Sequence, residues 1–192
     1  MNILAHSLLS NKDPELLLGN FIADGLSKKE WEQLPERVIL GVRLHHFIDE
    51  FTDQHQEVKA LVQLLREQQG KYAPVVADIL LDHLLAIHWG EYCQEPLEVF
   101  VAWVHDCLEK QQVFMNAERR RMFGFMREYR WLSGYATQAG IESVLKGMDR
   151  RSRFPSNMAM SFQQYISHQQ QWENAFHKFF PEMQLGAQNW LK

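Results

Sequence analysis

Six prolines cut this 192-residue chain into stretches of helix formers, and that punctuation constrains the fold more than any other feature. Leu, Glu, Gln, Ala, Met and Arg dominate between the breaks, while β-branched residues are sparse and few runs alternate apolar with polar. A sheet needs such alternation; a helical bundle does not. The pattern predicts an all-α fold, one domain over residues 1–192, built as a bundle of roughly eight helices with short connections. Helices are expected over about 2–10, Glu15 to Leu26, Pro35 to Asp53, His55 to Gln69, Pro74 to Tyr92 and Pro96 to Met115. Two or more fill 117–152, Pro155 opens a last long helix, and Pro181 ends it.

With 46% hydrophobic and 12% aromatic residues the chain can bury a sizeable core. A net charge of −4 gives no reason to expect nucleic acid or an anionic membrane as partner. Cys93 and Cys107 lack CxxC spacing, so they read as free thiols in a reducing compartment. Met1 to His6 has no basic region of the kind that opens a signal peptide, and no stretch approaches the ~20 apolar residues of a membrane span. A cytoplasmic location is expected.

The chemistry is concentrated in the first two-fifths of the chain, where His and Asp interrupt apolar helices. Polar groups there are costly unless they have a partner. In Gly41-Val-Arg-Leu-His45-His46-Phe-Ile-Asp49-Glu-Phe-Thr-Asp53, residues His45, Asp49 and Asp53 stand four apart and share one helix face. A His/Asp pair at that spacing can hold one metal ion. Asp53 can equally be a ligand, an orienting group or the N-cap of the next helix. Asp78 and Asp82 repeat the spacing, with His83 adjoining. Two carboxylates on one apolar stripe repel unless a cation or a proton lies between them, and a cation is the economical choice. The alternative is that Asp82 and His83 form a buried hydrogen-bonded pair. His6 and Asp24 are single candidates that structural or capping roles would also explain. A metal bound by His6, Asp24, His45, Asp49, Asp82 and His83 would be a hard-to-borderline ion such as Mn²⁺, Mg²⁺, Fe²⁺ or Zn²⁺, suited to phosphate ester hydrolysis. His105-Asp106 is the chain's one His-Asp doublet, and a partly exposed helix face explains it as well.

These segments resemble the acyl carrier protein phosphodiesterase family. The resemblance rests on Met1-Asn-Ile-Leu-Ala-His6, Gly19-Asn-Phe-Ile-Ala-Asp24, Gly41 to His45 with Ile48-Asp49 and Phe51-Thr-Asp53-Gln-His55, and Asp78 through Asp82-His83 to Trp89. Arg130-Trp-Leu-Ser-Gly-Tyr135 and Gly147-Met-Asp-Arg-Arg-Ser-Arg153 extend it toward the C-terminus. The resemblance implies a fold distantly like HD phosphohydrolases and a manganese-dependent enzyme, with Mg²⁺ or Fe²⁺ as alternatives. It implies removal of the 4′-phosphopantetheine arm from holo-acyl carrier protein. It carries metal-site roles onto the six residues above, with Asp53 and Asp78 in support. His46, Gly25 and Gln56 depart from the family pattern, which has an arginine, an aromatic and a proline there. His46 is then a candidate general acid or phosphate contact, and Arg43 a weaker phosphate contact because it lies off the ligand face.

An acidic carrier protein calls for a basic dock. Arg119, Arg120, Arg121, Arg127 and Arg130 form one basic region, and Lys146, Arg150, Arg151 and Arg153 another. A solvated helix face would look the same. Two further functions remain open on sequence: a phosphohydrolase for a nucleotide or other small ester, and a non-catalytic helical module for an acidic partner.

Overall fold

Prolines and short polar caps start the helices where the punctuation places them. The computed structural model describes residues 1–31, 33–154 and 156–192, with Lys28 described by its backbone alone. Helices run over Ile3–Leu9 (α1), Pro14–Ile22 (α2), Lys28–Trp31 (α3), Glu36–Gln54 (α4), Gln56–Gln69 (α5), Ala73–Ile87 (α6) and Trp89–Tyr92 (α7). They continue over Leu97–Lys110 (α8), Ala117–Glu128 (α9), Trp131–Gly134 (α10), Gln138–Arg151 (α11), Ser161–Ser167 (α12) and Gln169–Trp190 (α13). A 3₁₀ turn, Ala23–Gly25, prolongs α2. The result is an all-α domain; α2, α4, α5, α6, α8, α9, α11 and α13 are its longer helices. Asp13 caps α2 through the Glu15 and Leu16 amides ahead of Pro14, and Asn116 and Thr137 cap α9 and α11.

Two expectations change. Pro74 opens α6, but His88 interrupts the run before Tyr92. Pro181 does not end the last helix: α13 passes through it to Trp190. A proline in a helix interior costs about 3 kcal/mol. Beyond it Met183 and Ala187 are buried and Trp190 stacks on Phe47 of α4 at 5.6 Å, so apolar packing offsets the lost hydrogen bond. The helix start expected at Pro155 lies outside the described residues.

One apolar core runs through the helices from Met1 to Ala187. At its centre lies α6, buried from Val76 to Ala86 except at Asp78. A helix apolar all round is an interior helix. The pair α2 and α4 is the closest in the bundle. A Cβ added to Gly19 would fall 2.0 Å from the Val38 carbonyl oxygen, and one on Gly41 would fall 2.4 Å from that of Leu16. The two backbones therefore touch at these glycines. That contact brings the C-terminal end of α2 against the middle of α4, where the polar residues of both helices meet.

Candidate metal centre

Four elements deliver side chains to one point. α1 brings His6, α2 brings Asn20, the 3₁₀ turn brings Asp24, and α4 brings His45 and Asp49. His45 Nε2 lies 2.9 Å from Asp24 Oδ1 and 3.0 Å from Asp49 Oδ2. His6 Nε2 lies 3.2 Å from Asp49 Oδ1. Among the described residues Asp24, His45 and Asp49 offer ligand atoms within 4.8 Å of one another. Both histidines are buried, whereas the Asp24 and Asp49 side chains are 62% and 44% exposed, so the acidic side faces solvent.

Asn20 sets the orientation of both rings. Its amide nitrogen donates to the His6 carbonyl oxygen at 3.0 Å and to Ser10 Oγ at 3.2 Å, so its oxygen faces the imidazoles. That oxygen accepts from Nδ1–H of His6 at 2.6 Å and of His45 at 3.2 Å. Both Nε2 atoms are thereby aimed at the carboxylates. A buried hydrogen bond on the far nitrogen that fixes tautomer and ring angle is what metal-binding histidines commonly have. Sequence reasoning passed over Asn20, although it adjoins Gly19 in a motif already singled out.

The electrostatics fit a cation. Burial opposes charge on Asp49, but the His45 and His6 imidazoles outweigh it and hold the carboxyl well below its usual range. The hydrogen bond from His45 lowers Asp24. Burial also opposes charge on His45, yet Asp24 and Asp49 raise it to about 9. Burial lowers His6. In the metal-free protein the charge at this point is thus a proton on His45, held more tightly folded than unfolded. Its stabilisation is fully present below about pH 6.5 and lost as pH rises through about 9. A bound cation replaces that proton. Divalent-cation affinity is therefore expected to rise roughly tenfold per pH unit from 7 to 9 and to flatten above, with about one proton released. Calorimetric titration in buffers of different ionisation enthalpy measures both; pH-independent affinity without proton release would sink this account.

The centre lies in a cleft of about 360 Å³ whose lining includes His6, Asn20, Asp24, His45, Asp49, Asp53, Asp78, Arg119 and Met122. Asp53 stays within α4 and is exposed at the rim. It is not the cap of α5: His55 is, accepting from the Glu57 amide at 3.3 Å.

The fold does not bring Asp82 or His83 to this cluster. Asp82 is fully buried and accepts from the backbone N–H groups of Asn2 at 3.1 Å, Leu4 at 2.8 Å and Ala5 at 3.2 Å. It caps α1 from another helix. Asp78 Oδ1 meets the Met1 amino group at 2.7 Å. The metal cation expected between these two carboxylates is not what they meet: Asp78 faces the Met1 amino group and Asp82 the amides at the start of α1. His83 points about 100° away from Asp82 around α6. Its Nδ1–H donates to the Tyr135 carbonyl at 2.7 Å, and its ring meets Phe162 and Tyr165 edge to face. The two therefore do not pair with each other either.

His46 and Arg43 are exposed and outside the cleft lining. His105 lies beside Phe123, and Asp106 pairs with Lys110, so this doublet is also elsewhere. A second cluster, His88, Glu91 and His177, has ligand atoms in metal-binding reach of one another. It shares no residue with the cleft, and Glu173 meets His88 Nε2 at 2.6 Å.

Comparison with known proteins gives the site its context. The family profile described as acyl carrier protein phosphodiesterase matches residues 1–183. The chain belongs to the acyl carrier protein phosphodiesterase family. A relative bearing that name from Photorhabdus laumondii is 31% identical over 190 residues, covering 98% of this chain and 96% of the relative. Those from Enterobacter sp. (strain 638) and Klebsiella pneumoniae (strain 342) are 31% and 32% identical over 194 residues, covering 98% of each chain. No solved structure matches the chain.

For a member of the acyl carrier protein phosphodiesterase family, the arginines carry the partner question. Arg120, Arg121, Arg150, Arg151 and Arg153 are exposed on α9, α11 and the segment after it. Arg127 pairs with Glu109 and Arg130 with Glu98, which offsets two of the five positive charges expected of the first cluster. Arg119 departs from the expected surface position altogether. Its side chain is 12% exposed and lines the cleft. No described helix is long and apolar enough to cross a membrane.

Proposed function

We propose that this protein is a metal-dependent phosphodiesterase that releases 4′-phosphopantetheine from holo-acyl carrier protein and leaves the apo form. The observation that carries the reading is the Asp24–His45–Asp49 cluster, backed by Asn20 and open to a cleft, in a chain matched by this family over residues 1–183. Carboxylate and imidazole donors without thiolate suit Mn²⁺, with Mg²⁺ or Fe²⁺ as alternatives. Such an ion, when bound by Asp24, His45 and Asp49, polarises a phosphoryl oxygen and lowers the pKa of water.

The residues of the chain supply the rest. Asn20 keeps both Nε2 atoms aimed at the carboxylates. His6, whose charged form burial disfavours, has its N–H on Asn20 and so turns the Nε2 lone pair toward the cluster beside Asp49, as a further donor to a cation. Asp53 at the rim accepts a proton from the attacking water. The water oxygen bonds to phosphorus, the bond from phosphorus to the carrier's serine oxygen breaks, and that oxygen takes up a proton. Asp78 acts indirectly, by anchoring Met1 ahead of the helix that carries His6. Arg120, Arg121, Arg150, Arg151 and Arg153 form the dock for the acidic carrier in the cytoplasm.

Intact-mass analysis of holo-acyl carrier protein incubated with the enzyme and Mn²⁺ tests the proposal. Loss of the phosphopantetheine mass, blocked by EDTA, is expected. An unchanged carrier with each of Mn²⁺, Mg²⁺ and Fe²⁺ would rule out this substrate, and cleavage of small phosphodiesters would then identify a small-ester phosphohydrolase.

A further inference from the structure

We propose that Arg119 is the residue that grips the substrate's phosphoryl group inside the cleft, in a space kept open by Gly25; the inference rests on the phosphodiesterase reading above. Three observations place the guanidinium there. Asn116 caps α9 by accepting from the Arg119 amide at 2.9 Å, and its side-chain nitrogen donates to the Gly25 carbonyl at 2.7 Å. One side chain thus ties the start of α9 to the turn that carries Asp24. Next, a Cβ on residue 25 would fall 2.5 Å from Arg119 Nε and 3.0 Å from its Cγ. The arginine stem occupies the space that any other residue at 25 would fill. Finally, the donors are underused. Among the described residues Nε is buried without a hydrogen-bond partner, Nη1 has the Met122 sulfur at 3.6 Å, and Nη2 is 3.7 Å from Asp24 Oδ2.

A guanidinium carries five N–H donors in a planar fork that matches two oxygens of a phosphate. Leaving such a group short of acceptors in a half-enclosed cleft is costly. A phosphoryl group seated beside Asp24, His45 and Asp49 supplies acceptors to the terminal Nη1 and Nη2 groups and places its phosphorus next to the metal ligands. Asp24, touching both His45 and Arg119, links the two. The other arginines of α9 do not have this position: Arg120 donates to the Met115 carbonyl and Arg121 lies over the Phe125 ring.

The test is calorimetric binding of 4′-phosphopantetheine to the full-length protein, together with kcat and KM on holo-acyl carrier protein. Arg119→Ala is expected to weaken phosphopantetheine binding roughly 10- to 100-fold, the loss of charge-assisted hydrogen bonds. Arg119→Lys should recover part of it. Gly25→Ala, which leaves the arginine in the chain but displaces it, should weaken binding in the same direction. Circular dichroism and unchanged metal content check that each variant is folded. A surface dock predicts another result: Arg119→Ala binds phosphopantetheine within twofold of the parent and raises only the KM for the carrier. That outcome overturns the inference and leaves the function standing. A parent protein that neither binds phosphopantetheine nor cleaves the carrier overturns both.

Discussion

Asp49→Ala is expected to reduce turnover of holo-acyl carrier protein by on the order of 1,000-fold or more while the bundle stays folded. Asp49 meets both His45 and His6, so its removal takes one carboxylate from the metal cluster and the only described partner of His6 Nε2. The side chain is 44% exposed. His45 keeps Asp24 as a partner, so the remaining charges are not stranded. Metal content by mass spectrometry should fall with activity, while helicity persists. Replacing His88 and His177 by alanine is the control, because that cluster offers donors of the same chemistry outside the cleft. Metal and turnover are expected to survive there. Full activity in Asp49→Ala would remove this carboxylate from the mechanism; loss of metal from the His88 and His177 variant alone would move the centre.

Helical periodicity made the first half of the site legible. His45, Asp49 and Asp53 share one face because a helix turns about 100° per residue, and all three line the cleft. The motifs at His6 and Asp24 were also readable, since each breaks an apolar run. What was not readable is which partner each polar residue finds across the bundle. Asp82 stands four residues after Asp78 as Asp49 does after His45, yet it faces the N-terminus of α1. The sequence pattern points to a metal cation there; the helix that packs alongside supplies backbone amides and an amino group instead. Asn20 hides for a similar reason: an amide in an apolar helix announces a hydrogen bond and not its target. Arg119 reads as one of three consecutive surface arginines, and its placement depends on an absent side chain at residue 25, on another element. Pro181 shows the converse, a strong local signal overridden by packing of buried groups on both sides of it.

The two aspartates of α6 give the second large effect, and it should appear in stability and not in metal binding. Asp82→Ala leaves three buried backbone N–H groups, those of Asn2, Leu4 and Ala5, without an acceptor. It also removes a carboxyl at the positive end of α1 that burial raises to about 7, so its negative charge counts fully only above that pH. Losses of this kind cost about 3 kcal/mol, which for a chain of this size lowers Tm by roughly 6–12 °C. α1 loosens, and His6 goes with it, so turnover falls. Asp24, His45 and Asp49 belong to α2, its 3₁₀ extension and α4, whose contact at Gly19 and Gly41 does not involve Asp82. Metal affinity is therefore expected to stay within a few-fold of the parent below the new melting point. Asp82→Asn keeps one acceptor oxygen but presents an amide nitrogen to a backbone donor, and so should lie between the alanine variant and the parent in Tm. Thermal melts and metal titrations on these two variants separate an anchoring carboxylate from a ligand. An unchanged Tm with lost metal would return Asp82 to the ligand set, because an anchor cannot be removed without cost and a ligand cannot be removed without losing the ion.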